Sequence, residues 1–269
     1  MRELNHLSDV FDDYDTFIID LWGVIHNGIK LNEKAIEAVK QLKKNSKKIV
    51  FLSNAPRPSV KVVDFLLKMG MNKEYLTNVM TSGEAAMYAI NENKFGKTFF
   101  HVGPPRDHAI FEKVRENKIN NIEKCDFILG TGLFDEYKND LSFYENFFTA
   151  HIKKKFICTN PDLTVHKGNT EEYCAGSIAK IFEELGGEVI YYGKPHKEIY
   201  ELCFNNHEKV LAIGDNLRTD IRGANNLNKD CLFISEGVHR DEFKNNSDLE
   251  KLLKKYKVNT NYFQKELKW

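Results

Sequence analysis

The chain has 269 residues, 42% hydrophobic and 29% charged, enough for one large domain or for a core with an inserted second unit. Lys+Arg and Asp+Glu both number 39, so no global field draws in nucleic acid or an anionic membrane. Cys125, Cys158, Cys174, Cys203 and Cys231 form no C-x-x-C, the N-terminus has no apolar signal core, and no apolar run is long enough to span a bilayer; reduced thiols and a soluble, cytoplasmic protein are expected.

Along the chain, short apolar runs alternate with amphipathic stretches, the pattern of an α/β fold. Thr16–Asp20 (TFIID) reads as a buried strand, Asn32–Lys44 as a helix capped by Asn32, and Lys48–Leu52 (KIVFL) as a second strand. A helix over Ser59–Met69 ends at Gly70, and a strand at Asn78–Met80 leads to a helix over Gly83–Asn91. From about Asn93 to Glu188 the pattern is that of a separate α/β module. It has strands at Lys97–Val102, Asp126–Gly130 and Lys155–Cys158, and helices at Asp107–Glu116, Asp140–His151 and Glu172–Leu185. Core-like elements then return: strands at Val189–Tyr192, Val210–Gly214 and Cys231–Ile234, and helices at Pro195–Phe204, Thr219–Asn226 and Leu249–Tyr256. The tail from Lys257 to Trp269 specifies no element. The expected architecture is a doubly wound, Rossmann-like parallel-sheet core (residues 1–92 and 189–269) with an inserted α/β cap (93–188).

Four short segments lie at the ends of expected strands, the edge where open α/β sheets bind ligands. Asp20-Leu21-Trp22-Gly23-Val24 puts a carboxylate before a glycine turn. Ser53-Asn54 offers a hydroxyl and an amide. Gly193-Lys194-Pro195-His196 carries a lysine between a strand and a helix. Gly214-Asp215-Asn216-Leu217-Arg218-Thr219-Asp220 places two carboxylates on one strand-to-helix loop, hard oxygen donors of the kind Mg²⁺ requires. Each alone also reads as an ordinary cap, turn or surface residue; their joint order is the informative feature.

Taken together, the four segments resemble the motifs of the haloacid dehalogenase-like superfamily over most of the chain. The resemblance implies that Asp20 is a nucleophile forming an aspartyl-phosphate, that Ser53 and Lys194 bind phosphoryl oxygens, and that Asn54 lies against substrate. It also implies that Mg²⁺ is held by Asp20, the Trp22 backbone carbonyl and Asp215, with Asp220 in support. The place of the insertion and the segment Thr159-Asn160-Pro161-Asp162 are similar to the class IIA cap of nucleotide, sugar-phosphate, pyridoxal-phosphate and 4-nitrophenyl phosphatases. Asn160 and Asp162 are thereby candidate substrate contacts, although N-P-D equally makes a turn. The expected partner is a small phosphorylated substrate, with neither nucleic acid nor membrane; a homodimer is compatible with this kind of cap.

One position departs from the pattern. Phosphatases of the superfamily usually read D-x-D-G, with the second Asp as general acid; here that residue is Trp22, whose indole N–H cannot transfer a proton in this range. The alternatives are a borrowed acid, His26 among them, a substrate whose leaving group needs little protonation, a metal-independent dehalogenase, or a catalytically weak phospho-ligand-binding relative. Arg57, in SNAPRPS, is a further cation that could face an anion.

Overall fold

The strand Thr16–Ile19 is apolar or β-branched at every position because it is buried on both faces. Phe17 and Ile19 enter a cluster with Ala35, Val39, Leu42 and Val62, whereas Ile18 turns to Ile199 and Tyr200 on the opposite face. The computed structural model describes residues 1–167 and 170–269.

The elements in chain order begin with β1 (Arg2–Glu3), β2 (Thr16–Ile19), α1 (Glu33–Lys44), β3 (Lys48–Ser53), α2 (Ser59–Lys68), β4 (Val79–Thr81) and α3 (Ser82–Asn91). The insertion adds β5 (Phe99–Val102), β6 (Phe127–Gly130), α4 (Leu141–Thr149), β7 (Lys155–Cys158), β8 (Thr164–Lys167), β9 (Thr170–Tyr173), α5 (Ala175–Glu184) and β10 (Glu188–Tyr191). The chain closes with α6 (Lys197–Glu201), β11 (Val210–Gly214), α7 (Arg222–Asn226), β12 (Asp230–Ile234), α8 (Asn246–Tyr256) and β13 (Tyr262–Gln264). A seven-stranded parallel sheet has the order β1-β13-β12-β11-β2-β3-β4, and a four-stranded parallel sheet the order β10-β7-β6-β5. β8 and β9 pair antiparallel as a separate ribbon. Strand order reverses between β2 and β11, so the loops after these two strands leave the sheet side by side and open a crevice.

Several expectations change in the folded chain. The strand expected to rejoin the core, Val189–Tyr192, instead edges the second sheet, where Val189 and Tyr191 lie opposite Phe156 and Cys158. At the other border, α3 buries Ala86 and Ile90 against Phe99 and Phe127 of that sheet. Strand β10 thus joins the second sheet, and α3 packs against it. Where a helix is expected over Glu172–Leu185, β9 comes first and the helix starts at Ala175. Exposed Thr170–Tyr173 shows no alternation to mark a strand, and its pairing with β8 decides the conformation. Asp107–Glu116 forms 3₁₀ turns broken at Phe111 and Val114, a bend that buries Ile110 and Phe111. The helices expected at Pro195–Phe204 and Thr219–Asn226 shorten to α6 and to a π turn, Leu217–Ile221, followed by α7. The unassigned tail docks: β13 pairs with β12 and β1, and the Trp269 ring lies 4.8 Å from that of Phe11.

Candidate active site

Asp20 follows β2 and Asp215 follows β11, so the reversal of strand order makes them neighbours across the crevice. The Asp20 N–H donates to Ile213 O at 2.8 Å, fixing the loop to the adjacent strand. Gly23, at φ +90°, turns that loop sharply; a Cβ there would stand 2.0 Å from Asp215 Oδ2, so only glycine lets the two loops approach. Asp215 Oδ2 accepts the Val238 N–H at 2.8 Å. Asp220 reaches back from the π turn, its Oδ2 accepting the Asn216 N–H at 3.2 Å. Asp20, Asp215 and Asp220 are all buried, and each offers an oxygen within 4.8 Å of the others.

Lys194 arrives from a direction that the sequence does not show. It lies in the loop after β10, where the chain crosses from the second sheet back to the core. Its ammonium is 3% exposed and donates to Asp20 Oδ1 at 2.5 Å, Asp220 Oδ1 at 2.7 Å and Leu52 O at 2.9 Å. Burial pulls this ammonium toward neutrality, but Asp20 and Asp220 outweigh it and hold it well above the usual lysine range. Burial pushes the Asp20 carboxyl up to about 8, against the pull of Lys194. It pushes Asp215 up as well, with the Asp20 charge adding to the effect.

The loop that carries Lys194 is clamped by Asn54. Asn54 Oδ1 accepts the Lys194 N–H at 2.8 Å and Nδ2 donates to Lys194 O at 3.1 Å. Gly193, at φ +122°, makes room: a Cβ would come within 2.5 Å of Asn54 Oδ1. Asn54 thus positions Lys194 through its side-chain amide while also lining the cavity. Ser53 Oγ accepts the Ala55 N–H at 3.2 Å, leaving its hydroxyl hydrogen for a partner in the cavity.

These groups line a cavity of about 230 Å³, closed from above by Asn160, Asp162, Thr164, Val165 and His166 of the insertion. Asn160 Oδ1 accepts the Asp162 N–H at 3.1 Å, so N-P-D makes the turn while both side chains line the cavity. Asn216 Nδ2 donates to Asp162 Oδ1 at 3.3 Å, a contact between core and insertion. Trp22 is part of the cavity wall. Its carbonyl accepts no backbone hydrogen bond among the described residues, and its indole N–H donates to His166 O at 2.7 Å. Beyond Trp22 and Arg57 lies a second cavity of about 660 Å³, between α2 and the β8–β9 ribbon.

His26 does not belong to this cavity. It is buried against Trp22 and Phe65, its Nδ1 accepts the Gly28 N–H at 3.0 Å, and burial pushes its pKa down to about 4. A neutral, enclosed imidazole is not the borrowed acid. Arg57 Nε donates to the buried carboxylate of Asp107 at 2.8 Å, a second tie between core and insertion. Sequence reasoning missed the ribbon that carries His166, the Arg57–Asp107 pair, the Asn216 side chain, and Arg240 at the cavity rim. No local signal marks them, because each acts through a partner distant in sequence.

Three convergent carboxylates with a single buried ammonium leave an excess of negative charge and unshared hard oxygens. That donor set fits a divalent cation.

Residues 17–115 match the family of haloacid dehalogenase-like hydrolases, and residues 191–260 match a second HAD-hydrolase-like family. A 5'-nucleotidase of Bacillus subtilis is 26% identical over 250 residues, 88% of this chain and 93% of that protein. The crystal structure of a haloacid dehalogenase-like hydrolase from Brucella suis superposes with a TM-score of 0.85 at 28% identity, covering 99% of this chain and 100% of the other. A glycerol phosphate phosphatase from Mycobacterium tuberculosis, solved in complex with magnesium, shares the fold at a TM-score of 0.67 and 20% identity, over 96% of this chain and 77% of that one. Among the described residues no helix is long and apolar enough to cross a membrane.

Proposed function

The chain belongs to the haloacid dehalogenase-like hydrolases, and from that premise we propose that it is a Mg²⁺-dependent phosphatase acting on a small phosphorylated metabolite through an aspartyl-phosphate on Asp20. The observation that carries this reading is the meeting of Asp20, Asp215, Asp220 and Lys194 in one cavity. A metal-independent dehalogenase has no use for the Asp215 and Asp220 carboxylates, whose burial costs stability unless a cation compensates them.

In this reading Asp20, Asp215 and the Trp22 carbonyl would hold Mg²⁺, and Asp220 steadies the site through Lys194 and the Asn216 N–H. When bound, the ion supplies positive charge beside the phosphoryl oxygens. Asp20 attacks phosphorus, Lys194 orients that carboxylate and pulls it toward its ionised form, and the Ser53 hydroxyl donates to a phosphoryl oxygen. The insertion covers the cavity and keeps bulk water from the reacting atoms. Five buried free cysteines suit a reducing, cytoplasmic setting.

The test is phosphate release from a panel of phosphorylated metabolites with and without Mg²⁺. Turnover should appear only with the ion and vanish in Asp20→Asn. Turnover that persists in Asp20→Asn and in EDTA, or chloride release from a 2-haloacid without metal, would refute the reading.

A further inference from the structure

Position 22 removes the proton donor from the core loop, and the structure shows a carboxyl group on the opposite wall of the same cavity. Asp162 lines the cavity together with Asp20, Trp22 and Lys194, but it comes from the insertion and stands outside the cluster of three carboxylates. Its backbone is pinned on both sides. The N–H donates to Asn160 Oδ1 at 3.1 Å, and its carbonyl oxygen is so near Gly176 that a Cβ there would come within 2.5 Å of it. Its side chain receives the Asn216 amide on Oδ1 at 3.3 Å.

Charge counting gives this carboxyl its state. The cavity holds the carboxylates of Asp20, Asp162, Asp215 and Asp220 against one buried ammonium, Lys194. At the rim, Arg57 is matched by Asp107 and Arg240 by Asp241. One divalent cation still leaves the cavity negative before a dianionic phosphate ester enters. Like charges at such spacing do not all stay ionised. Asp20 and Asp220 each accept from the Lys194 ammonium and Asp215 stands with them in the three-carboxylate cluster, whereas Asp162 meets the neutral Asn216 amide, so the proton falls to Asp162; burial in the cavity pushes its carboxyl up in the same direction.

We infer that Asp162 is the general acid of this phosphatase, a catalytic residue in the insertion that replaces the one missing from the core loop. The inference rests on the phosphatase reading above. As Asp20 bonds to phosphorus and the phosphorus–oxygen bond of the ester breaks, the leaving oxygen keeps the bonding pair and takes the Asp162 proton. The Asp162 carboxylate then accepts a proton from the water that attacks the aspartyl-phosphate, which releases inorganic phosphate and restores the acid. Trp22 is a positioning residue for this step: its indole N–H holds the carbonyl of His166, four residues past Asp162 on the ribbon that begins at Thr164.

The experiment compares Asp162→Asn with the unmodified chain, both loaded with Mg²⁺, on an alkyl phosphate (glycerol phosphate) and on 4-nitrophenyl phosphate. The nitrophenolate leaves without protonation, so its turnover also reports that the variant is folded. Asp162→Asn should lose roughly 10²-fold or more in kcat on the alkyl ester and less than about tenfold on the aryl ester. The basic limb of the alkyl pH profile should disappear, and Asp162→Glu should recover part of the alkyl activity. Equal losses on both esters, or none on either, would overturn the assignment. Absence of turnover by the unmodified chain on both esters would instead overturn the phosphatase reading, and this assignment with it.

Discussion

Lys194 and Asp20 lie 174 residues apart in sequence, and the ammonium meets the carboxylate at 2.5 Å inside the protein. The same ammonium joins Asp20 to Asp220 and to the carbonyl at the end of β3, so one side chain from the returning loop ties together three strand ends of the core. Lys194→Ala would leave two buried carboxylates facing each other. Removing one partner of a buried charge pair costs about 3–5 kcal/mol, and urea unfolding without divalent cation should register a loss of that order. Phosphate release should fall by ~10²–10³, the scale for loss of one preorganised electrostatic group. An unchanged unfolding midpoint would mean that the pair contributes nothing to the fold.

The excess of carboxylates also predicts ion-dependent stability. A ligand that binds only the native state stabilises it, by about 2.7 kcal/mol at a hundredfold excess over Kd. Thermal unfolding should therefore move upward with added Mg²⁺, and the increment should shrink in Asp215→Asn. An identical increment in that variant would place the ion elsewhere.

Trp22→Phe keeps the ring against Gly28 and His26 but removes the donor to His166 O. A hydrogen bond of this kind contributes about 1 kcal/mol net. Amides of Thr164–Val165 and Thr170–Tyr173 should exchange faster with solvent, while those of β2 and β11 keep their protection. Uniform exchange across the ribbon and the core strands in both proteins would show that the indole is not a tie.

His26 gives an acid-side dependence whose sign follows from burial. Its pKa is about 4 in the folded chain against 6.5 ordinarily, so the unfolded chain binds a proton that the native chain refuses. This contribution is fully present above pH 6.5 and is lost as pH falls through about 4. Its ceiling is roughly 3 kcal/mol, from 1.36 kcal/mol per pH unit. His26→Asn retains an acceptor for the Gly28 N–H without a titrating ring, and its urea midpoint should fall less steeply between pH 6.5 and 4. Parallel pH dependences for the two proteins would exclude the buried imidazole as the cause.

Much of the fold was legible from local pattern. TFIID, KIVFL and VLAIG are continuous apolar runs because central parallel strands are covered on both faces, and Asn32 caps α1 through the N–H groups of Lys34 and Ala35. The ribbon was not legible, since exposed Thr170–Tyr173 carries no alternation, and neither was the sheet to which Val189–Tyr191 belongs. Strand character is local, whereas the choice of neighbour depends on what the rest of the chain buries.

The site divides along the same line. The sequence by itself determined which residue types stand at strand ends: a carboxylate after β2, a hydroxyl after β3, two carboxylates after β11, and a tryptophan where an acid is usual. Tertiary structure alone decided that Lys194 comes from the border of the second sheet, that Asn54 serves its backbone, and that His26 is neutral and enclosed. It also decided that Trp22 holds a carbonyl and Asp162 faces the cavity. A residue's type and backbone conformation are set by its near neighbours along the chain. Its charge state and its partner are set by burial and by groups as much as 174 residues away, and these exist only once the two sheets have packed.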